Sequence, residues 1–270
     1  MSVRSRLAAK IKRVMRIARF EEEMDMYDGE VGYNFQQVDF GTYRCSSSVE
    51  QLRDELRDHV HEDLRLYVVR SLRLVNGVLK QKGSGPNLEG GIVTLTTCKH
   101  AMRASRALNV GTWVAGVTSA EMPLRGQALF YLARVGGYAT SHVEHWNALP
   151  HPTRSAKSMV HNALGDVFEP IEPEATAPDA DMSKYKAFQV EHSHGMWDGV
   201  RLLGDRNGLE GDLRYRSHFG EPARLLRFDP SMTWVWERPT ILRSGGVGRG
   251  FRRMTLGALL STLTAEDAAR

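Results

Sequence analysis

The chain has 270 residues, of which 41% are hydrophobic and 25% charged, enough for one sizeable core of ordinary globular composition. Two cysteines, Cys45 and Cys98, are too few for a disulfide framework or a Cys-based zinc site, and a reduced, cytoplasmic compartment is the default; no stretch approaches the ~18 apolar residues of a membrane span. The formal charge of +4 is concentrated: residues 1–19 hold seven basic groups (Arg4, Arg6, Lys10, Lys12, Arg13, Arg16, Arg19) and no acid, which leaves −3 for the rest and implies no broad basic face for duplex DNA.

Taken in order, Val3, Leu7, Ile11, Val14 and Ala18 recur at helical spacing and predict a basic amphipathic helix, followed by Glu21, Glu22, Glu23 and Asp25. Such a helix either docks on the body, binds an anionic surface, or engages a partner protein. Lys10, Lys12, Arg13 and Arg16 interrupt the apolar run that a secretory signal needs. Residues 28–45 read as irregular. Ser47 and Glu50 have capping-box spacing ahead of "VEQLRDELRDHV", a short helix. "LRLYVVRSLRLV", Leu64 to Val75, reads as one strand, and "QKGSGPNLEGG" as a loop. The strand "IVTLTTC", a helix near "KHAMRASRAL", and the strands "GTWVAGVTS" and "GQALFYLARVGG" follow. Ser141 and Glu144 predict a second capping box opening a helix through "HVEHWNAL". Pro170, Pro173 and Pro178 make "DVFEPIEPEATAPDAD" a surface loop. "MTWVWERP" reads as a strand, "RSGGVGRGFRR" as a Gly/Arg loop, and "MTLGALLSTLT" as a terminal helix.

Short strands with helices at irregular intervals predict an α+β fold: a small, strongly bent or closed, barrel-like mixed sheet with flanking helices. The expected organisation is a helical extension over 1–60, a main domain over 61–262 with the Pro/acidic loop near 168–182, and a tail over 263–270.

There is no Walker A loop, GxGxxG, HExxH, GxSxG or CxxC. The run "TTCKHAMR" carries most of the chemistry. A helix starting near Lys99 exposes unpaired backbone N–H groups, and with Lys99 and Arg103 these suit an anion; Thr96 and Thr97 are available to cap the helix or touch the ligand. The bland reading is a capped helix with exposed cations. Cys98 is either a buried inert thiol or a nucleophile activated by the turn. His192, His194 and Asp198 in "HSHGMWDG" suit a metal if a strand points both imidazoles one way, although such pairs also occur on bare exposed strands. His142 and His145, at i,i+3 spacing, read as a surface-helix pair. Trp113, Trp146, Trp197, Trp234 and Trp236 are core residues first, with one or two available to stack a base. Arg243, Arg249, Arg252 and Arg253 sit in or beside a Gly-rich segment that suits phosphate or is a flexible basic turn.

The pieces "GSGPNLEGGIVTLTTCKHAMR", "VGTWVAGVTS", "HWNALP", "LGDVFE", "HSHGMWDG", "YRSHFG" and "GRGFRR" occur in one order that resembles the nucleotide-modification-associated domain family of the second type, found in bacteria and their viruses. The resemblance spans about residues 83–253. It places Gly85, Pro86, Asn87, Thr97, Cys98, Lys99, Arg103, Gly111, Trp113, Gly116, Asp166, His218 and Arg252 on family positions. His100, Thr112 and Phe251 depart from the family's Pro, Asp and His. The resemblance implies a role in making or handling modified nucleotides or hypermodified DNA bases.

The expectation is a domain that recognises a nucleotide or a modified base in nucleic acid. Thr97, Lys99 and Arg103 would hold phosphate, Trp113 would stack the base, and Arg249 and Arg252 would close over the backbone. The alternative is an enzyme acting on nucleotides through His192, His194, Asp198, His218 or Cys98, with the metal and any cofactor left open. A third reading is an accessory subunit whose N-terminal helix binds a partner protein.

Overall fold

The structure is a computed structural model that describes residues 43–44, 47–69, 72–75, 78–81, 86–96, 99–119, 127–157, 169–170, 219–236, 241–244, 247 and 250–265. Its helices are α1 (Val49–Glu55), α2 (His100–Arg103), α3 (His142–Asn147), α4 (His151–Lys157) and α5 (Leu256–Leu260). Its strands are β1 (Asp63–Val69), β2 (Leu72–Val75), β3 (Val78–Gln81), β4 (Thr94–Leu95), β5 (Trp113–Thr118), β6 (Gln127–Ala139), β7 (Leu225–Val235), β8 (Ile241–Arg243), β9 (Phe251–Thr255) and β10 (Leu263–Ala265). No helix among the described residues is long and apolar enough to cross a membrane.

Eight of these strands form one mixed sheet in the order β10-β8-β6-β5-β1-β9, with β7 added to β6 and β4 to β7, and β2 pairs only with β3. The β1–β5 pair is parallel, from Leu64↔Trp113 to Val69↔Thr118, and the other pairs are antiparallel. The fold is therefore the expected α+β type with a curled mixed sheet. The curl originates in β6, whose 13 residues pair with β5 and β8 at one end and with β7 along the rest. Register shifts at Ala133/Val135 and Val135/Gly137 mark bulges, which bend a strand and raise its twist. At the second bulge Gly137 lets the Arg227 side chain lie close, 2.8 Å from where a Cβ would stand.

Alternation along the strands gives the sheet two apolar faces. Tyr67, Val69, Val114, Tyr131, Ala133, Leu226 and Phe228 face one cluster, closed by Leu88, Val93, Leu95, Met102 and Leu108. Leu64, Leu66, Val68, Trp113, Ala115, Val117 and Leu132 face the other, which α1 and α5 cover with Val49, Leu52, Leu56, Leu256, Leu259 and Leu260. Fully burying one such leucine contributes about 1.5–3 kcal/mol, so α1 belongs energetically to this core.

The apolar stripe of α1 also sets its start. The capping box is formed by Ser48 and Gln51, one residue later than expected: Ser48 Oγ accepts from Gln51 N at 3.2 Å and Gln51 Oε1 from Ser48 N at 2.7 Å. In α3, Ser141 caps as expected, but the Glu144 carboxylate reaches back to Thr140 N rather than to its cap residue. The stretch Leu64–Val75 is two strands. The pairing of β1 with β5 ends at Val69↔Thr118, and β2 instead forms a separate hairpin with β3. The expected terminal helix is a short strand, one helical turn and another strand: Thr255 caps α5, and Leu263–Ala265 pairs with β8. The Pro/acidic loop lies almost wholly outside the described residues.

Candidate functional site

After β4 ends at Leu95, the chain turns into α2 through Lys99, the one non-glycine residue with positive φ among those described (φ 48°, ψ 34°). This left-handed conformation costs a side-chain-bearing residue about 1 kcal/mol. It aims the Lys99 carbonyl at Met102 N (2.9 Å) and Arg103 N (3.0 Å), which starts the helix. Half-buried Lys99 extends its ammonium over the Tyr67 ring, 5.3 Å from the centroid. The Tyr131 hydroxyl donates to the Tyr67 hydroxyl at 2.8 Å, and the rings meet edge to face. Gly116 makes this possible, because a Cβ there would stand 2.4 Å from Tyr131 Cε1 and 2.8 Å from Val69 Cγ2. The cation is thus half-buried, and the two phenols beneath it, 2% and 0% exposed, belong to the buried cluster.

Arg103 does not extend into solvent beside Lys99. It is 1% exposed, and its Nη1 donates to the Arg224 carbonyl at 2.8 Å, while Arg224 N donates to the Arg103 carbonyl at 3.3 Å. Arg224 in turn donates to the Ser105 and Leu108 carbonyls and lies over the Tyr138 ring. This pair clamps α2 to the entry of β7. A four-residue helix also offers little macrodipole, since the effect needs several aligned peptides.

Trp113 and Arg252 are on the other face of the sheet. Trp113 is 0% exposed, in one core cluster with Leu64 and Trp234, and its Nε1 donates to Glu62 at 2.7 Å. Stacking a base on it would require opening that core. Exposed Arg252 is in register with Leu66, so it points away from the face that carries Tyr67 and Lys99. Trp113 and Arg252 therefore do not share a face of the sheet with Lys99. Trp146, Trp234 and Trp236 are buried as well. Thr97, Cys98, His192, His194, Asp198, His218 and Arg249 lie outside the described residues, as does Trp197. Among the described residues, no group of three or more His, Cys, Asp or Glu side chains could hold a metal.

The structure also assembles polar residues that the sequence reading did not group. Asn87, in the Pro-Asn loop, is 0% exposed and exchanges two 2.9 Å backbone bonds with Thr94. Its Oδ1 accepts from Glu89 N (3.0 Å) and from the Lys157 ammonium (2.9 Å), which also donates to the Asn87 carbonyl (3.2 Å). Lys157, at the end of α4, is 1% exposed. His142 and His145, read as a surface pair, are 8% and 0% exposed, because α3 packs against the end of β6. Desolvation, followed by the charges of His142, Lys157 and Arg227, holds His145 well below its ordinary value of 6.5. In the sequence only Asn87 carried a signal, through the resemblance. Nothing local announces that a lysine ending a Pro-containing helix is buried.

Residues 76–169 match the family model described as nucleotide modification associated domain 2, well under half of the chain. Lys99, Tyr131, Asn87, His145 and Lys157 lie inside that segment, whereas the later pieces of the resemblance, from "HSHGMWDG" onward, lie beyond it. No curated protein and no solved structure matches the chain.

Proposed function

We propose that the unit carrying this nucleotide-modification-associated segment recognises a nucleotide or a modified base, with Lys99 as the contact group and the buried Tyr67–Tyr131 pair holding it in place. The observation that carries the reading is the strained Lys99. Backbone strain persists where surrounding structure enforces it, and it concentrates at ligand-contacting positions. Here it holds a half-buried ammonium against the face of the buried Tyr67 ring, which Tyr131 supports. An ammonium so placed suits a phosphate or the acceptor edge of a base, and Lys99 lies within the residues that match the family model.

The test is titration of purified protein with canonical and modified nucleotides, comparing wild type with Lys99→Met and Tyr67→Phe. Saturable binding that weakens by roughly tenfold in Lys99→Met supports the reading, as expected for loss of one charge-assisted contact. Binding of equal strength in both variants, or none by the wild type, refutes it. Turnover of a bound nucleotide would move the reading to the enzyme alternative built on His192, His194, Asp198, His218 or Cys98.

A further inference from the structure

We infer that the nucleotide site extends from Lys99 onto β9, where Phe251 stacks the base and Arg253 binds a phosphate. The inference rests on the reading of Lys99 as a nucleotide contact and names what completes that site. It follows from sheet parity. Tyr67 faces the cluster beneath Lys99, and its partner across the β1–β9 pair is Phe251, which packs against the same cluster. Arg65 and Arg253, in register two residues along, share that face, because side chains on a strand alternate sides. Met254, the next residue, packs instead against the opposite cluster, which holds Leu64 and Leu66. The segment after Lys99 lies over the same strands. Met102 and Leu108 enter the cluster, the Ala107 carbonyl accepts from Arg65 Nη2 at 2.9 Å, and Ser105 Oγ accepts from Arg253 Nη2 at 2.8 Å. Lys99 therefore stands at the Tyr67 end of this segment and Arg253 at its Arg65 end, with Phe251 beside Tyr67.

Residue type and exposure carry the chemistry. Phe251 is half-buried on β9, the last strand in that direction among the described residues, and so presents part of a ring that Trp113, wholly inside the core, cannot. Stacking on an aromatic ring accepts any base, because every base has a π face. Arg253 is exposed, and its guanidinium lies 6.0 Å from the centre of the Phe251 ring. Of its five N–H donors one goes to Ser105, and among the described residues it makes no ion pair. Like charges directly opposite on paired strands are destabilising, yet Arg253 stands opposite Arg65. Asp63 pairs with Arg65 at 3.6 Å. Burial, and after it the Arg253 charge, still lower the Arg65 pKa against the pull of Asp63. A phosphate on Arg253 offsets that repulsion and accepts from the planar guanidinium in bidentate fashion. Arg252, adjacent in sequence, faces the other way.

The test titrates the full chain calorimetrically with the deoxynucleoside 5′-monophosphates, with deoxyribose 5-phosphate and with a short single strand of DNA. Wild type is compared with Arg253→Gln, Arg252→Gln and Phe251→Leu, which keeps an apolar side chain against the cluster; thermal unfolding checks that each is folded. Phe251→Leu should weaken the monophosphates roughly tenfold and leave deoxyribose phosphate unchanged, since it removes only the stacked ring. Arg253→Gln should weaken both roughly tenfold and flatten the salt dependence, whereas Arg252→Gln should weaken them by less than about twofold. Tighter binding of the strand identifies a nucleotide unit held within a strand, and equal binding identifies a free nucleotide; both support the site. Should either β9 variant fail to fold, Phe251→Met or Arg253→Lys takes its place, the latter keeping the charge without the bidentate geometry. Unchanged monophosphate binding in folded Phe251→Leu, or equal losses in Arg252→Gln and Arg253→Gln, overturns the inference while a loss in Lys99→Met leaves the Lys99 reading standing. No binding by the wild type, or undiminished binding by Lys99→Met, overturns both.

Discussion

Replacing Glu62 by Gln probes how the start of β1 is held. The Glu62 carboxylate accepts from Arg134 Nη2 at 2.9 Å and Nε at 3.1 Å, and from Trp113 Nε1 at 2.7 Å, with His59 Nδ1 at 2.9 Å. Burial alone would raise its pKa, but the hydrogen bonds from His59 and Trp113, with the charge of Arg134, outweigh it and hold the carboxyl below its ordinary 4.5. A glutamine offers one acceptor oxygen and turns an N–H₂ towards groups that are themselves donors. Leaving the buried Trp113 indole N–H without an acceptor costs about 1–3 kcal/mol. Glu62 and Arg134 are 30% and 31% exposed, so their pairing is screened and adds no more than about 1 kcal/mol. The expected loss is about 2–3 kcal/mol, a fall of roughly 5–10 °C in Tm for a chain of this size. Because the folded-state pKa is depressed, the carboxylate's contribution is complete above pH 4.5 and is lost as pH falls through the lowered value. Urea unfolding followed by tryptophan fluorescence should therefore show a constant gap between wild type and Glu62→Gln at neutral pH that closes below pH 4.5. A variant within about 0.5 kcal/mol of wild type at pH 7, or a gap that persists unchanged in acid, refutes the reasoning.

Other outcomes follow from the same contacts. Gly116→Ala drives a methyl into the Tyr131 ring and should cost about 1–3 kcal/mol by urea unfolding, whereas Gly250→Ala, with nothing within 4 Å of the added carbon, should stay within about 0.5 kcal/mol. His145 is neutral in the fold and protonates in the unfolded chain below its ordinary 6.5, so stability should fall as pH drops from 6.5 by at most about 1.4 kcal/mol per pH unit. In phosphate-free buffer His145→Gln should flatten that slope between pH 7 and 5.5, and parallel slopes would contradict the burial of its ring among His142, Lys157 and Arg227. Arg224→Ala removes donors to the Ser105 and Leu108 carbonyls and should raise amide exchange across 100–108 before it exposes the sheet; uniform protection would show that the clamp is dispensable.

Elements with strong local signals were legible in the chain. The strands β5, β6 and β7 are aromatic or β-branched runs, and α3 begins at the serine that caps it. Helix α4 has a weak local signal, since Pro150 and Pro152 flank its start, yet Pro152 stands in the first turn, where a missing N–H does no harm. The separation of Arg252 from Lys99 is one of sheet parity. Whether Arg252 shares a face with Lys99 depends on the Leu66↔Arg252 register, a pairing across nearly two hundred residues that no local pattern encodes. Burial of His145 and Lys157 likewise depends on packing against β6 and, for Lys157, against the Asn87 turn, far from it in sequence. Lys99 was singled out by residue type and by the turn around it. Its left-handed backbone, the stronger argument, is visible only in the fold.

The most direct measurement on the central claim is nucleotide affinity in Lys99→Gly beside the stability of the same variant. Glycine adopts the left-handed conformation without strain, so relief of about 1 kcal/mol should offset the lost contact with Tyr67, and the variant should unfold within about 1 kcal/mol of wild type. This stable protein should bind nucleotide at least about tenfold more weakly. Undiminished binding by the folded Lys99→Gly protein would contradict it.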